Sequence, residues 1–112
     1  MDILFRTGKL RKRCNSSSEA ARAWGPEMAK RLMRRLDELH AADTLADMRL
    51  LRQARCHALT GERKGQISVD LKHPYRLLLE PANEPFPLLP DGGLDWAKVT
   101  AVRILEVMDT HG

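Results

Sequence analysis

The chain has 112 residues, 43% of them hydrophobic and 30% charged, with a formal net charge of +4. That length supports one core rather than two, and the apolar content is too high for a disordered chain. Two cysteines are too few for a disulfide framework, and no apolar run approaches the roughly 20 residues of a bilayer-spanning helix, so a secreted scaffold and a membrane-embedded protein are both set aside.

In chain order, the apolar residues Ile3, Leu4 and Phe5 beside the Thr7-Gly8 breaker predict a first strand. The opening residues carry no basic segment followed by a long apolar one, so no export signal is expected, and a reducing, cytoplasmic setting suits the two thiols. Residues 9–13, Lys-Leu-Arg-Lys-Arg, are too short to assign and read as a solvated helical turn. Ser16 followed by Glu19 is a helix start, the serine capping the first turn and the glutamate reaching back. From there Ala20, Trp24, Met28, Leu32, Leu36 and Leu39 recur at spacings of four and three, the stripe of an amphipathic helix. Gly25-Pro26 predicts a kink or break, because proline lacks an N–H and clashes with the preceding turn. On the polar side Lys30 with Arg34, and Arg31 with Arg35, stand four apart as like charges. They form either a solvated face or one that meets phosphates or a protein partner.

Asp43 or Thr44 then caps a short helix carrying Leu45, Met48, Leu50 and Leu51. Gly61 and Gly65 pin a basic turn, Arg63-Lys64, ahead of residues 67–71, whose Ile67, Val69 and Leu71 alternate with Ser68 and Asp70 as in a half-buried strand. Residues 75–80 are more continuously apolar, which predicts a central strand packed on both faces. Pro81, Pro85, Pro87, Pro90 and Gly92-Gly93 crowd residues 81–93, so a long irregular hairpin loop follows. Residues 99–108 predict a last strand with a phase change that suggests a bulge. Strand, helices, then three antiparallel strands make an α+β fold with helices on one sheet face.

The basic balance sits in residues 1–80, which hold 17 of the 19 Lys and Arg against 10 of the 15 acids. Such a field attracts a polyanion, with nucleic acid ahead of a membrane surface or an acidic protein. RNA can be cut without a metal if its own 2′-hydroxyl attacks the neighbouring phosphate. One group must take that proton, another must protonate the leaving 5′-oxygen, and positive charge must meet the phosphate. Arg76, between Tyr75 and Leu77 in a strand suited to burial, either pairs with Asp70 or Asp109 or clamps a phosphate with its fork. His111 stands two residues beyond Asp109 and would share its face if the strand continues, an imidazole oriented by a carboxylate. The four histidines show no metal-ligand spacing, and no cofactor is expected.

Four segments in one order, residues 41–47 (AADTLAD), 56–71 (CHALTGERKGQISVDL), 75–79 (YRLLL) and 109–111 (DTH), resemble the HigB-like plasmid-maintenance killer proteins. These are a branch of the RelE superfamily of ribosome-dependent, mRNA-cleaving toxins, and the resemblance runs nearly end to end. It implies a single RelE-like domain over residues 1–112, with an N-terminal strand and helices packed on one face of a small, mainly antiparallel sheet. It also implies a cytoplasmic endoribonuclease that cuts mRNA in the ribosomal decoding site. The implied partners are the ribosome and its mRNA and a cognate helix-turn-helix antitoxin, with DNA reached only through the antitoxin and no membrane. By the same resemblance Arg76 is the catalytic arginine, His111 and Asp109 work in proton transfer, and Lys64 donates a proton or, with Arg63, binds substrate. His57 lines the site, and Lys30, Arg31 and Arg34 hold ribosomal RNA phosphates. Where the family usually reads Asp-Tyr-His, this chain has Thr110, which supplies a hydroxyl but no ring. That departure keeps open a second reading, a catalytically weak or inactive module that binds RNA or an antitoxin.

Overall fold

A computed structural model describes residues 1–110. The chain runs β1 (Asp2–Phe5), α1 (Gly8–Cys14), α2 (Ser17–Trp24), α3 (Pro26–Ala41), α4 (Leu45–Met48), β2 (His57–Ala58), β3 (Ile67–Asp70), β4 (Tyr75–Pro81) and β5 (Ala101–Asp109). The five strands form one sheet in the order β1-β5-β4-β3-β2, in which β1 alone is parallel to its neighbour. The architecture is the expected α+β one. Two strand features went unforeseen: β1 pairs in parallel with β5, and a two-residue β2 extends the sheet beyond β3.

Local chemistry explains the helix boundaries. Thr7 and Ser16 side chains accept from the Leu10 and Glu19 amides at 3.1 and 3.2 Å and so satisfy donors that the first turns of α1 and α2 leave open. The Glu19 carboxylate lies 3.7 Å from the Arg22 guanidinium. At Gly25, with φ at +90°, the chain breaks fully rather than kinking, and Pro26 opens α3 where its missing N–H costs nothing. Thr44 precedes α4, and the Asp47 carboxylate accepts from its amide at 3.3 Å. The basic segment 9–13 belongs to α1, a true helix whose Cys14 end is buried.

The anticipated stripe on α3 closes the core. Met28, Leu32, Leu36 and Leu39 meet Ile67, Val69, Leu77, Leu79, Val102 and Ile104 from one face of the sheet. Each fully buried side chain of this size contributes about 1.5–3 kcal/mol relative to an exposed one. In β5 the register steps over Leu105, because Leu79 faces Ile104 while Leu78 faces Glu106, and this is the anticipated bulge. Asn83, beyond β4, bridges the start of β5 by accepting from Thr100 and Ala101 amides at 2.9 and 3.1 Å.

Among the described residues no helix is long and apolar enough to cross a membrane. Cys14 and Cys56 are both buried free thiols. Burial pushes the Cys56 thiol up to about 12 and the Cys14 thiol up to about 11. An unfolded thiol ionises near pH 8.5. The stability linked to these groups is therefore fully present below about pH 8.5 and is lost as pH rises towards their folded values. Alkylation by iodoacetamide at pH 8 should be slow in the native protein and rapid in urea, and the urea midpoint should fall between pH 8 and 10. Rapid native alkylation would show that these thiols are not shielded.

Candidate functional site

Period two sorts the sheet residues into two faces. Ile67, Val69, Leu77 and Leu79 turn to the helices, so Ser68, Asp70, Arg76 and Leu78 turn to the other face. Residues directly opposite each other share a face, which gives the open side two cross-strand rows. One runs His57, Ser68, Leu78 and Glu106; the other runs Asp70, Arg76 and Met108. Leu78 is fully buried although it lies outside the main core, so this face has an apolar floor beneath a charged surface.

Arg76 stands at the middle of that face, on the central strand, half-buried and without an ion pair to any described residue. The sequence left open a pairing with Asp70 or Asp109. Instead, Asp70 Oδ2 lies 3.5 Å from Arg55 Nε, and its Oδ1 is buried without a hydrogen-bond partner among the described residues. Arg55 adopts a left-handed backbone, φ +44°, as the chain enters β2, and its carbonyl contacts His57 Nδ1 at 2.6 Å. This fixes the imidazole beside Ser68, itself fully buried with an unpartnered Oγ. A half-buried guanidinium with no carboxylate of the described residues on it retains its fork for an incoming oxyanion.

The glycine-pinned turn divides its two cations. Gly61 and Gly65 hold φ of +66° and +95°, conformations that side chains with a Cβ rarely adopt, and the turn between them is a short 3₁₀ segment at Gly61–Arg63. Arg63 reaches over the open face, 3.1 Å from Gln66 Oε1 and 4.0 Å from Glu106 Oε2. Lys64 instead lines a groove of about 580 Å³ shared with Phe86 and Leu88 of the proline-rich loop and with Leu94 and Trp96 just beyond it.

The remaining candidates lie elsewhere. Register puts Asp109 opposite Tyr75, in phase with the helix-facing Leu77 and so out of phase with Arg76. Thr110 donates both its amide and its hydroxyl to the Pro74 carbonyl, at 3.0 and 2.7 Å, which fastens the end of β5 to the β3–β4 turn. His111 lies outside the described residues. Lys30, Arg31 and Arg34 are exposed on α3, in the helix layer, with the sheet between them and the Arg76 face. Arg35, read as the like-charge neighbour of Arg31, is only 1% exposed. It is an internal strut, corrected in that respect from the solvated face expected.

Three groups near the open face were not assigned to the site from sequence. Glu106 and Arg55 are two, the first hidden because the bulge reverses its parity. The third is the basic α1, whose Lys9 and Arg13, with Arg6, border a cleft of about 230 Å³ beside Leu105 and Glu106. There β5 continues beyond the end of β1, and the charge run itself was the available signal. Among the described residues no group of three or more His, Cys, Asp or Glu side chains could hold a metal ion.

A profile for one protein family, described as the RelE-like toxin of the type II toxin-antitoxin system HigB, matches residues 5–86. The match runs from the last residue of β1 to the first part of the proline-rich loop and includes Arg76, His57 and the basic turn. No curated protein matches the sequence significantly.

Proposed function

Because the chain belongs to the HigB-like family of RelE-like type II toxins, and so is the toxin of a pair whose other member is an antitoxin protein, we propose that it acts as a ribosome-dependent endoribonuclease. The observation that carries this reading is Arg76: a half-buried guanidinium without an ion pair to any described residue, central on the one sheet face that the helices leave open. A phosphodiester lying across that face would meet Arg76 flanked by His57, Arg55 and Arg63. The attacking 2′-oxygen loses its proton to a base, forms the bond to phosphorus, and expels the 5′-oxygen, which takes a proton from an acid. In this scheme Arg76 neutralises charge on the phosphate, and His57, in the adjoining row, serves one proton transfer. The resemblance gives the other transfer to His111 with Asp109, although the register turns Asp109 to the helix-facing side of the sheet and His111 lies outside the described residues. Arg63 binds the strand. Lys64, in the neighbouring groove, acts as a proton donor or as a contact to a flanking nucleotide.

Lys30, Arg31 and Arg34 fit a different task. On the far layer they suit the phosphates of ribosomal RNA, holding the toxin while the ribosome presents a codon to the open face. Delegating substrate positioning to the ribosome is compatible with a sparse catalytic set. The helix-turn-helix character of the antitoxin, and contact with DNA through it alone, belong to the same proposal.

A binding-only reading is favoured by one feature, Thr110. Its hydroxyl is committed to the Pro74 carbonyl and stands where the family usually has tyrosine. The two readings separate in a translating extract. Adding the purified chain should produce new mRNA 5′ ends at codon-phased positions. Translation arrest with intact mRNA would support the binding-only reading, and neither effect would overturn both.

A further inference from the structure

β1 is an edge strand, bonded to β5 on one side only. Asp2 and Arg6 amides donate inward, to Thr100 and Ile104 carbonyls at 3.1 and 2.9 Å. In a parallel ladder alternate residues use their backbone groups on the same side. Ile3 and Phe5 therefore point their N–H and C=O groups away from β5, into a trough of about 460 Å³ bordered by Thr7, Arg11, Asn15 and His40. The charge beside this edge is one-sided. Arg6, Lys9, Arg11 and Lys12 are exposed, none forms an ion pair with a described residue, and residues 6–13 contain no acid.

We propose that the β1 edge takes up an acidic, extended peptide segment of a partner protein as an added strand, and that in this family the partner is the antitoxin. Unpaired donors and acceptors at strand spacing fit a peptide backbone, and the cations of α1 fit its carboxylates. RNA would use the cations but has no repeating N–H and C=O to match Ile3 and Phe5. The bland alternative is that the charges only guard an exposed edge against self-association. This inference needs the family membership and not the cleavage reaction, so failure of one leaves the other standing.

The probe is a fluorescent, end-capped peptide of about eight residues in which Glu alternates with Val and Thr. Two further versions carry N-methyl groups, one on the Glu positions and one on the Val and Thr positions. A strand bonded along one edge uses only alternate amides, so one methylated peptide should bind at least about tenfold more weakly, the loss of roughly 1.4 kcal/mol or more, while the other binds like the parent. Arg11→Glu, with unchanged melting temperature, should weaken the parent peptide similarly, and amide exchange at Ile3 and Phe5 should slow on binding. Equal binding by both methylated peptides, protection of Ile3 and Phe5 by single-stranded RNA but not by peptide, or no peptide binding at millimolar concentration would each overturn the proposal.

Discussion

Arg76→Ala is expected to lower mRNA cleavage by about 100- to 1,000-fold, the usual loss when one preorganised donor to a developing oxyanion is removed. The expectation follows from what surrounds the side chain. Asp70, directly opposite on β3, is turned to Arg55, so no acid among the described residues consumes the Arg76 charge. Arg76→Lys keeps a positive charge but not the planar fork, and should recover only part of the loss. Because Arg76 is half-buried and without an ion pair to any described residue, its removal should shift the urea midpoint little, and ribosome binding through α3 should persist. Cleavage measured at saturating ribosomes therefore separates the phosphate-clamp role from a structural one. Cleavage within a few-fold of the unmutated chain would remove Arg76 from the mechanism, whereas a coincident collapse of stability would make it structural.

The parts of this fold visible in the sequence are those fixed by local chemistry. The Met28, Leu32, Leu36 and Leu39 stripe, the break at Gly25-Pro26 and the inward Ile67 and Val69 depend on neighbours within a turn or a pleat and appear as expected, but Ser68, expected on a half-exposed face, is fully buried. Hidden were the features set by residues far apart in the chain. β1 meets β5 in parallel across some hundred residues, and nothing in residues 2–5 encodes that direction.

The bulge shows how a feature can be recognised while its consequence is missed. With strict alternation from the inward Ile104, Asp109 would share the face of Arg76 and Glu106 would face the core. Skipping Leu105 reverses both, so Glu106 joins the Arg76 face and Asp109 pairs with Tyr75. The carboxylate assigned from the sequence and the one the sheet supplies thus differ by a single inserted residue. The candidate site was legible at Arg76 and Arg63, whose places follow from the strand and turn pattern, whereas His57, on the unforeseen β2, enters through the family resemblance alone. It was obscure at Glu106 and Arg55, whose places follow from a bulge and a left-handed residue.

Arg35 leads to the largest expected change in stability. It stands three residues after Leu32 and four before Leu39, within the buried stripe, although its charge reads as surface. Its Nε donates to the Asp70 carbonyl at 2.8 Å, Nη2 to the Gln53 carbonyl at 2.9 Å and Nη1 to Glu38 Oε1 at 2.9 Å. One planar group thereby ties α3 to the end of β3 and to the segment before Arg55, the two pieces of backbone that carry the Asp70–Arg55 pair. Arg35→Ala removes three charge-assisted hydrogen bonds and leaves a void, so a cost of about 3–5 kcal/mol is expected from urea unfolding. That corresponds to a fall in melting temperature on the order of 10–20 °C for a domain of this size. Arg35→Lys should not restore it, since one ammonium cannot reach three acceptors set out for a fork. Arg34→Ala, one residue away and exposed, is the control and should stay within about 0.5 kcal/mol. If the Arg35 and Arg34 variants unfold at the same urea concentration, the strut carries no net stability. Its place in the core would then reflect only the alignment of α3 with the Asp70 end of the sheet.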